Sequence, residues 1–322
     1  MKTTSIQARS SAAHREAQVF QWSFLLPKYW LLWLWFAFLW LVTRLPYGVV
    51  KRVGGGLGCC LFYLLPKRRS IALQNLSLCF PDWSDARRWQ VARAHFAGAG
   101  LTLFESGLVW WSRRSRFEGF FTLEGGEVLQ QLAGRPVLFF GLHNTCVEMV
   151  YAYLSLQRPV NVLFRVNNNA LWEYMATRSR ERYQARLIPR KQVPEFIERL
   201  SRGEAGLLAA DQDLGRKRSL FVPFFGVPTA TVPSVHQFAR QTGAAVVFAE
   251  AYRGGANGYV LRLHHLKGFP TEDAEADTGR MNAEIERSVQ QHPEQYLWVH
   301  KRFKTRPEGA APIYPPKRQR QR

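Results

Sequence analysis

From Arg135 onward, short apolar runs alternate with helical patterns, and this alternation constrains the fold more than any other feature. The runs PVLFFGL, NVLF, GLLAA and SLFVPFF follow one another, with helices predicted near Val147 and from Leu171. Strands that alternate with helices build a sheet covered by helices. The pair VVFAEAY and YVLRLHHL, joined across Asn257 and Gly258, predicts an antiparallel hairpin added to that sheet. The sequence therefore predicts an α/β fold in which helices flank a mixed sheet.

A second feature is the tryptophan-rich segment YWLLWLWFAFLWLV, which runs from Tyr29 to Val42 without a charge. At 1.5 Å per residue it is about 21 Å long, shorter than the roughly 30 Å hydrocarbon core of a bilayer. Counting from Trp22 makes a tilted span possible. The segment has no small-residue cleavage site after it, which argues against a signal peptide. We predict an N-terminal membrane helix over 22–44, either a single span or a deep interfacial helix.

The remaining organisation follows from composition. Residues 1–21 are basic and predicted to be disordered, and 310–322 form a basic tail. Residues 45–112 are predicted to be a membrane-proximal helical segment, continuous with a catalytic core over 113–309. Within it, 53–65 is apolar and too short to span, which favours an amphipathic helix on the lipid surface. The basic run at 67–69 favours a core on the cytoplasmic side.

One long helix is predicted inside the membrane-proximal segment. Ser84 is a plausible N-cap for it. Trp89, Phe96, Leu103 and Trp110 recur every seven residues on one helical face, a spacing typical of core packing.

Charge limits the partners without fixing them. Lys and Arg number 44 against 24 Asp and Glu, for a net charge of +20, so nucleic acid, anionic lipid and acidic proteins are all compatible. The arginines from Arg178 to Arg190 are interrupted by Leu and Tyr and form no nucleic-acid module, so no nucleic-acid partner is predicted. The four cysteines include no CxxC pair, which indicates neither a zinc site nor a disulfide framework.

The sharpest candidate site is the sequence GLHNTCVE, which comes directly after the predicted strand PVLFFGL. Groups at the carboxyl end of a strand line the crevice where α/β folds bind ligands. His143 and Glu148 can converge if His143 lies in the strand-to-helix turn and Glu148 in the first helical turn. The carboxylate would then orient one imidazole nitrogen while the other removes a proton from an attacking hydroxyl. A structural histidine beside an unrelated surface glutamate is the alternative.

Two further loops follow predicted strands. Arg165, Asn167 and Asn168 offer a guanidinium fork and amides that suit phosphate or carbonyl oxygens; alternatively the loop is solvated, with a helix cap at Asn169. Asp211 and Asp213 stand beside a basic triplet that begins at Arg216. Because no third ligand has metal-like spacing, a loop-ordering role is favoured, and no metal or cofactor is predicted.

Taken jointly, these segments resemble the late acyltransferases of lipid A biosynthesis, the lauroyl and myristoyl acyltransferases of the lysophospholipid acyltransferase superfamily. The likeness runs from about Trp30 to Gly309. It rests on the motif from His143 to Glu148, the loop at Arg165, the DQDxG block at Asp211, the ending PEQYLWVHKRFKTRPEG, and on LPY, NLSLCFP and ESGLVWW in the N-terminal half. Val166 and Ala170 replace prolines that are common in the family, which leaves that loop freer.

The resemblance implies a glycerolipid-acyltransferase-like fold at the cytoplasmic side of the inner membrane. It implies an acyl carrier protein thioester as donor and a lipid A precursor as acceptor, with inner membrane lipids as surroundings. By that match His143 is the general base, Glu148 its partner, and Arg165 and Asp211 lie near the substrates. The KRFKTRPEG ending is more similar to enzymes that add the first secondary chain, often laurate.

Two other functions stay open from the residues alone. The same chemistry could acylate another membrane glycolipid or a glycerol phosphate. Alternatively, the positive charge could belong to a basic membrane-binding protein without catalysis.

Overall fold

The computed structural model describes residues 19–254 and 258–315. Residues 1–18 of the predicted disordered N-terminus, 316–322 of the predicted basic tail and the predicted turn residue Asn257 lie outside this part of the chain. The helices are α1 Trp30–Val42, α2 Tyr47–Leu64, α3 Pro66–Cys79, α4 Asp85–Trp111, α5 Arg114–Glu118, α6 Glu127–Gln131, α7 Val147–Gln157, α8 Ala170–Arg182, α9 Val193–Ser201, α10 Ser234–Thr242 and α11 Ala274–Gln291. Single 3₁₀ turns lie at Trp22–Leu25, Pro27–Tyr29, Arg216–Arg218 and Pro293–Gln295. The strands are β1 Phe121–Glu124, β2 Val137–Gly141, β3 Val160–Phe164, β4 Ala185–Pro189, β5 Ala205–Ala209, β6 Leu220–Phe224, β7 Val227–Thr231, β8 Ala245–Gly254 and β9 Gly258–His265.

The main sheet has the strand order β1-β9-β8-β2-β5-β3-β4. Strand β2 is central and parallel to both neighbours, since Val137 pairs with Ala205 of β5 and with Ala245 of β8. Strands β8 and β9 form the predicted antiparallel hairpin, and β1 pairs parallel to β9. The predicted α/β class with a mixed sheet and flanking helices is confirmed. The run SLFVPFF is the exception, because it forms β6 and pairs with β7 in a separate two-stranded sheet.

Helices cover both faces of the sheet, which explains the apolar composition of β2. Val137 and Phe139 belong to one buried cluster, together with Met149 of α7. Leu138 and Phe140 point to the other face and join a second buried cluster with Phe196 of α9. A strand buried on both faces reads as a continuous apolar run, and its functional groups can lie only at its ends.

The N-terminal aromatic segment is packed into this domain. Phe24 and Phe36 are 0% and 2% exposed and belong to the same buried cluster as Phe139. The ring of Phe36 lies 5.4 Å from that of Trp110 and 5.8 Å from that of Trp172. One side of the segment 22–44 therefore packs against the domain, and its association with a membrane stays a prediction.

In the part of the chain that the structure describes, no single helix is both long and apolar enough to cross a bilayer. Helices α2 and α3 together have the length and composition of a span, but they are bent by 94° at their junction.

Helix α4 is the element on which the N-terminal helices assemble. It begins after Ser84, whose hydroxyl accepts a hydrogen bond from the Arg87 amide at 3.3 Å, as predicted. Helix α2 crosses it closely at small residues: a Cβ on Gly58 would lie 2.0 Å from a backbone oxygen of α4. The predicted core stripe on α4 is only half correct. Phe96 and Trp110 are buried, whereas Trp89 and Leu103 are 41% and 39% exposed.

Candidate active site

The loop between β2 and α7 brings His143 to the carboxyl edge of the sheet. Its Nδ1 lies 2.5 Å from Oδ1 of Asp211, and its backbone N–H donates to Oδ2 of the same carboxylate at 2.9 Å. Asp211 follows β5, which is the immediate neighbour of β2 with Gly141 opposite Ala209. Adjacent parallel strands thus deliver the two side chains to one point. Asp211 is 2% exposed and His143 is 28% exposed, so the imidazole is reachable from outside.

The contact with Asp211 sets the protonation of both groups. Burial by itself disfavours the charged imidazole, but the charge and hydrogen bond of Asp211 outweigh it, and the pKa of His143 is raised. Burial likewise opposes ionisation of Asp211, yet the interactions with His143 hold the pKa of this carboxyl below its usual value. The pair can therefore take up a proton on the imidazole while the carboxylate stays ionised.

The partner predicted for His143 was Glu148, and the observed geometry differs. Glu148 does lie in the first turn of α7, but its carboxylate receives two hydrogen bonds from Arg180 of α8, both at 3.0 Å. The carboxylate of Asp211 pairs with Nδ1 of His143 instead. The sequence had predicted Asp211 to be a substrate-binding residue. The assignment of Glu148 as the group that orients the imidazole is thus corrected, while its catalytic importance stays a prediction.

Acyl transfer to a hydroxyl passes through an oxyanion, which backbone N–H groups next to His143 could stabilise if they were free. The Thr145 N–H donates to the Gln295 carbonyl at 2.9 Å, and the Cys146 N–H donates to Oδ1 of Asn144 at 3.0 Å. The His143 N–H is held by Asp211. These three donors are already used inside the protein, so they do not form an oxyanion hole.

The glycine that ends β2 is required by its surroundings. A Cβ on Gly141 would lie 2.2 Å from the hydroxyl of Tyr151 and 2.9 Å from the carbonyl oxygen of Ala249. Any side chain there would push β2 away from α7 or β8. Gly141 therefore lets the strand end close enough to its neighbours to present the next residues at the edge.

The loop after β3 stays on the rim of the site. Arg165 and Asn168 are exposed. The backbone N–H of Asn167 donates to Glu173 of α8 at 2.8 Å. Asn169 accepts a hydrogen bond from the Trp172 N–H at 3.0 Å and caps α8, which is the alternative considered for this loop. Substrate binding by Arg165, Asn167 and Asn168 remains a prediction.

The segment after β5, which contains Asp213 and Arg216, orders its loop, as the sequence predicted. Oδ1 of Asp213 accepts from the Gly215 N–H at 2.9 Å and from the Thr305 hydroxyl at 2.8 Å, and Oδ2 accepts from the Thr305 N–H at 2.6 Å. Arg216 donates to the Arg306 carbonyl at 2.8 Å. Asp213 and Arg216 thus join this loop to the C-terminal segment, and their contact with substrate remains a prediction.

Two contacts of the candidate site residues were not predicted from the sequence. Arg180 lies 32 residues from Glu148, and no local spacing points to it. The pairing of Asp211 with His143 could have been suspected, because both come directly after apolar runs predicted to be strands. What was missing was the knowledge that β2 and β5 are neighbours.

Comparison with known proteins decides the family. The model described as bacterial lipid A biosynthesis acyltransferase matches residues 17–305. The chain belongs to the bacterial lipid A biosynthesis acyltransferases. This lipid A acyltransferase is 37% identical to the lipid A biosynthesis palmitoleoyltransferase of Escherichia coli strain K12 over 300 residues, which cover 92% of this chain and 98% of the relative. It is 35% identical to the lauroyltransferase of the same organism over the same shares. Identity to the myristoyltransferase is 29%, over 92% of this chain and 93% of the relative. The predicted family is confirmed.

Proposed function

We propose that this lipid A acyltransferase moves a fatty acyl group from acyl carrier protein to the hydroxyl of a 3-hydroxyacyl chain already on the lipid A precursor. The observation that supports it is the exposed imidazole of His143 on the buried carboxylate of Asp211. With Nδ1 held by Asp211, Nε2 is the nitrogen left to act on a substrate. It takes the proton as the hydroxyl oxygen attacks the thioester carbonyl. When the C–S bond breaks, the imidazolium returns that proton to the departing thiolate, and an ester has formed.

The donor proposal is supported by the charge at the sheet's carboxyl edge. Exposed cations lie on the loops after β3, β4 and β5: Arg165, Arg190, Lys191, Arg216, Lys217 and Arg218. A cationic rim of this kind attracts both an acidic carrier protein and a phosphorylated acceptor, and speeds their encounter.

Chain length and acceptor are the finer parts of the proposal. We favour a lauroyl-type chain, because the KRFKTRPEG ending is similar to enzymes of that group. The identities to relatives bear only on the myristoyl type, since those named palmitoleoyl- and lauroyltransferase are 37% and 35% identical and the one named myristoyltransferase is 29% identical. Acylation of another membrane glycolipid or a glycerol phosphate is the second candidate.

The experiment incubates purified protein with radiolabelled acyl carrier protein thioesters of several lengths and one acceptor at a time. Label should enter the lipid A precursor and not glycerol 3-phosphate or an unrelated glycolipid. Preferential transfer to either of the latter would overturn the acceptor assignment, and no transfer to any acceptor would favour a non-catalytic membrane protein.

We also propose that the N-terminal helices lie on the cytoplasmic face of the inner membrane. Opposite its buried side, α1 exposes Leu31 and Leu34 at 82% and 67%. Other large apolar residues of the N-terminal segment are also exposed: Trp22, Leu25, Leu26, Trp30, Phe38, Trp40, Leu41, Leu45, Val49, Val53, Tyr63, Leu64 and Leu65. The same stretch of sequence carries exposed cations at Lys28, Arg44, Lys51, Arg52, Lys67 and Arg68. Exposed apolar side chains rich in Trp, with cations among them in sequence, suit the interface of an anionic bilayer.

The two sides of α1 should respond differently to mutation. The double variant Leu31→Ser, Leu34→Ser should reduce binding to anionic vesicles by about 10-fold or more, because each buried Leu contributes roughly 1.5–3 kcal/mol. Its thermal stability should change little. Phe36→Ala should instead destabilise the protein by about 3–5 kcal/mol, the usual loss for a buried aromatic ring. Vesicle co-sedimentation and thermal unfolding measure the two effects, and unchanged vesicle binding of the double variant would refute the surface.

Glu148 stays in the proposal as a catalytic residue, with Arg180 as its charged partner. The carboxylate is 24% exposed and the guanidinium 33% exposed, so the pair can reach bound substrate. Glu148 accepts hydrogen bonds from Arg180, and Asp211 holds Nδ1 of the imidazole. Glu148→Gln should therefore lower turnover by about 10-fold to 100-fold, the range of a positioned polar group. This loss should be smaller than that of Asp211→Asn. Steady-state kinetics on both variants compares them; a larger loss in Glu148→Gln would restore Glu148 as the principal partner.

A further inference from the structure

A buried ion pair lies behind the His143 loop. Glu105 of α4 is 1% exposed and the Arg253 side chain, near the end of β8, is 12% exposed. The guanidinium binds the carboxylate at two points: Nε to Oε1 at 2.7 Å and Nη2 to Oε2 at 2.6 Å. A buried ion pair is often no more stabilising than well-packed apolar residues. Stability alone therefore gives a weak reason for this arrangement.

The other donors of Arg253 reach the catalytic loop. Nη1 donates to Oγ1 of Thr145 at 2.6 Å, and Nη2 donates to the Thr145 carbonyl. The Thr102 hydroxyl donates to the same carbonyl. The fit is tight, since a Cβ on Gly98 would lie 3.0 Å from Oγ1 of Thr145 and 3.1 Å from Nη1 of Arg253. Thr145 is two residues after His143. Arg253 therefore hydrogen-bonds to the backbone of the loop that positions the imidazole.

Both members of the ion pair are themselves fixed. The Tyr259 hydroxyl donates to Glu105 and lies 2.7 Å from the Tyr47 hydroxyl. The backbone of Arg253 exchanges hydrogen bonds with the Gln295 side chain at 2.7 and 2.9 Å. The Gln295 carbonyl in turn accepts from the N–H of Thr145. The loop that carries His143 and Thr145 is therefore held from three places: Thr102 of α4, Arg253 of β8 and Gln295 of the last 3₁₀ turn.

We propose that Glu105 and Arg253 are positioning residues, which fix Thr145 so that Nε2 of His143 stays aligned with the acceptor hydroxyl. The inference rests on the proposed role of His143 as the base. A displacement of about 1 Å at a reacting group can cost about 100-fold in rate, even when it starts far from the chemistry. Neither Glu105 nor Arg253 contacts substrate in this account.

The test acts on Thr145, because removing either ion leaves a buried charge unpaired and endangers folding. Thr145→Val keeps the shape and removes the acceptor for Nη1. It should lower kcat by roughly 10-fold to 100-fold while KM changes less than twofold, since alignment and not binding is lost. Thr145→Ser retains the hydroxyl and should restore at least half of wild-type kcat. Should Thr145→Val not fold, Thr102→Val is measured in its place, because it removes the hydroxyl that accepts from Arg253 and donates to the Thr145 carbonyl without removing a charge. It should show the same division between kcat and KM.

The matched control is Asp277→Asn, which weakens another buried pair, with His236 at 2.7 Å between α10 and α11. It should lower stability without lowering kcat per folded molecule. Normal kcat in folded Thr145→Val, or a rise in KM alone, would overturn the positioning role. His143→Ala is assayed alongside: if it stays active, the proposed function fails, whereas an inactive His143→Ala with a fully active Thr145→Val rejects only the positioning role.

Discussion

Replacing His143 with Ala should lower turnover by about 100-fold to 10,000-fold, the usual contribution of a general base. The imidazole acts mainly when the acceptor hydroxyl loses its proton, so KM for both substrates should change little. Stability should suffer modestly, because His143 is 28% exposed and leaves no large cavity. Steady-state acyl transfer with purified protein measures the loss.

His264→Ala is the matched control, since His264 is 53% exposed and pairs with Glu284 on another part of the surface. It should retain full turnover. Near-normal turnover in a folded His143→Ala protein would contradict the general-base role, whatever family the chain belongs to.

Replacing Asp211 with Asn should cost nearly as much, roughly 100-fold to 10,000-fold in turnover, the scale known for a His–Asp pair that loses its carboxylate. The carboxylate accepts from both the imidazole and the backbone N–H of His143. An amide can accept with only one atom, and it cannot match the charge of an imidazolium. The double variant with His143→Ala should be little worse than His143→Ala alone, because Asp211 works through the imidazole.

Asp211→Asn should also change the pH dependence of kcat/KM. A general base must be neutral, so activity falls on the acid side as His143 becomes protonated. Asp211 raises the pKa of His143, which places the acid limb of kcat/KM above the ordinary histidine value of about 6.5. Without the carboxylate, burial remains and lowers the pKa, so the limb should move to lower pH. A limb that does not move in Asp211→Asn would mean that another group titrates there.

Local sequence patterns predicted the sheet, the hairpin of β8 and β9 and the position of His143 at a strand end. They failed where the partner is distant in sequence. Asp211 is 68 residues from His143 and Arg253 is 148 residues from Glu105; both contacts depend on which strands and helices are neighbours. The motif GLHNTCVE contains one carboxylate, Glu148, and local sequence therefore points to it as the partner of His143.

The N-terminal helix shows a different limit. Hydropathy shows that Phe36 is apolar, but it cannot show whether its ring contacts lipid or protein. In the structure the ring packs against Trp110 and Trp172. One face of α1 is buried in protein and the other exposes Leu31 and Leu34. A sequence that is apolar on all sides cannot reveal this division, because both surroundings favour the same residues.

The mass of lipid A tests the central claim most directly. Lipid A is extracted from Gram-negative cells that lack this protein, and from the same cells supplied with the wild-type or the His143→Ala protein at equal abundance. The wild-type protein should add the mass of one fatty acyl chain to the lipid A of the deficient cells, and His143→Ala should add none. Identical lipid A masses in all three would contradict the proposed reaction, and an equal gain with His143→Ala would contradict the proposed base.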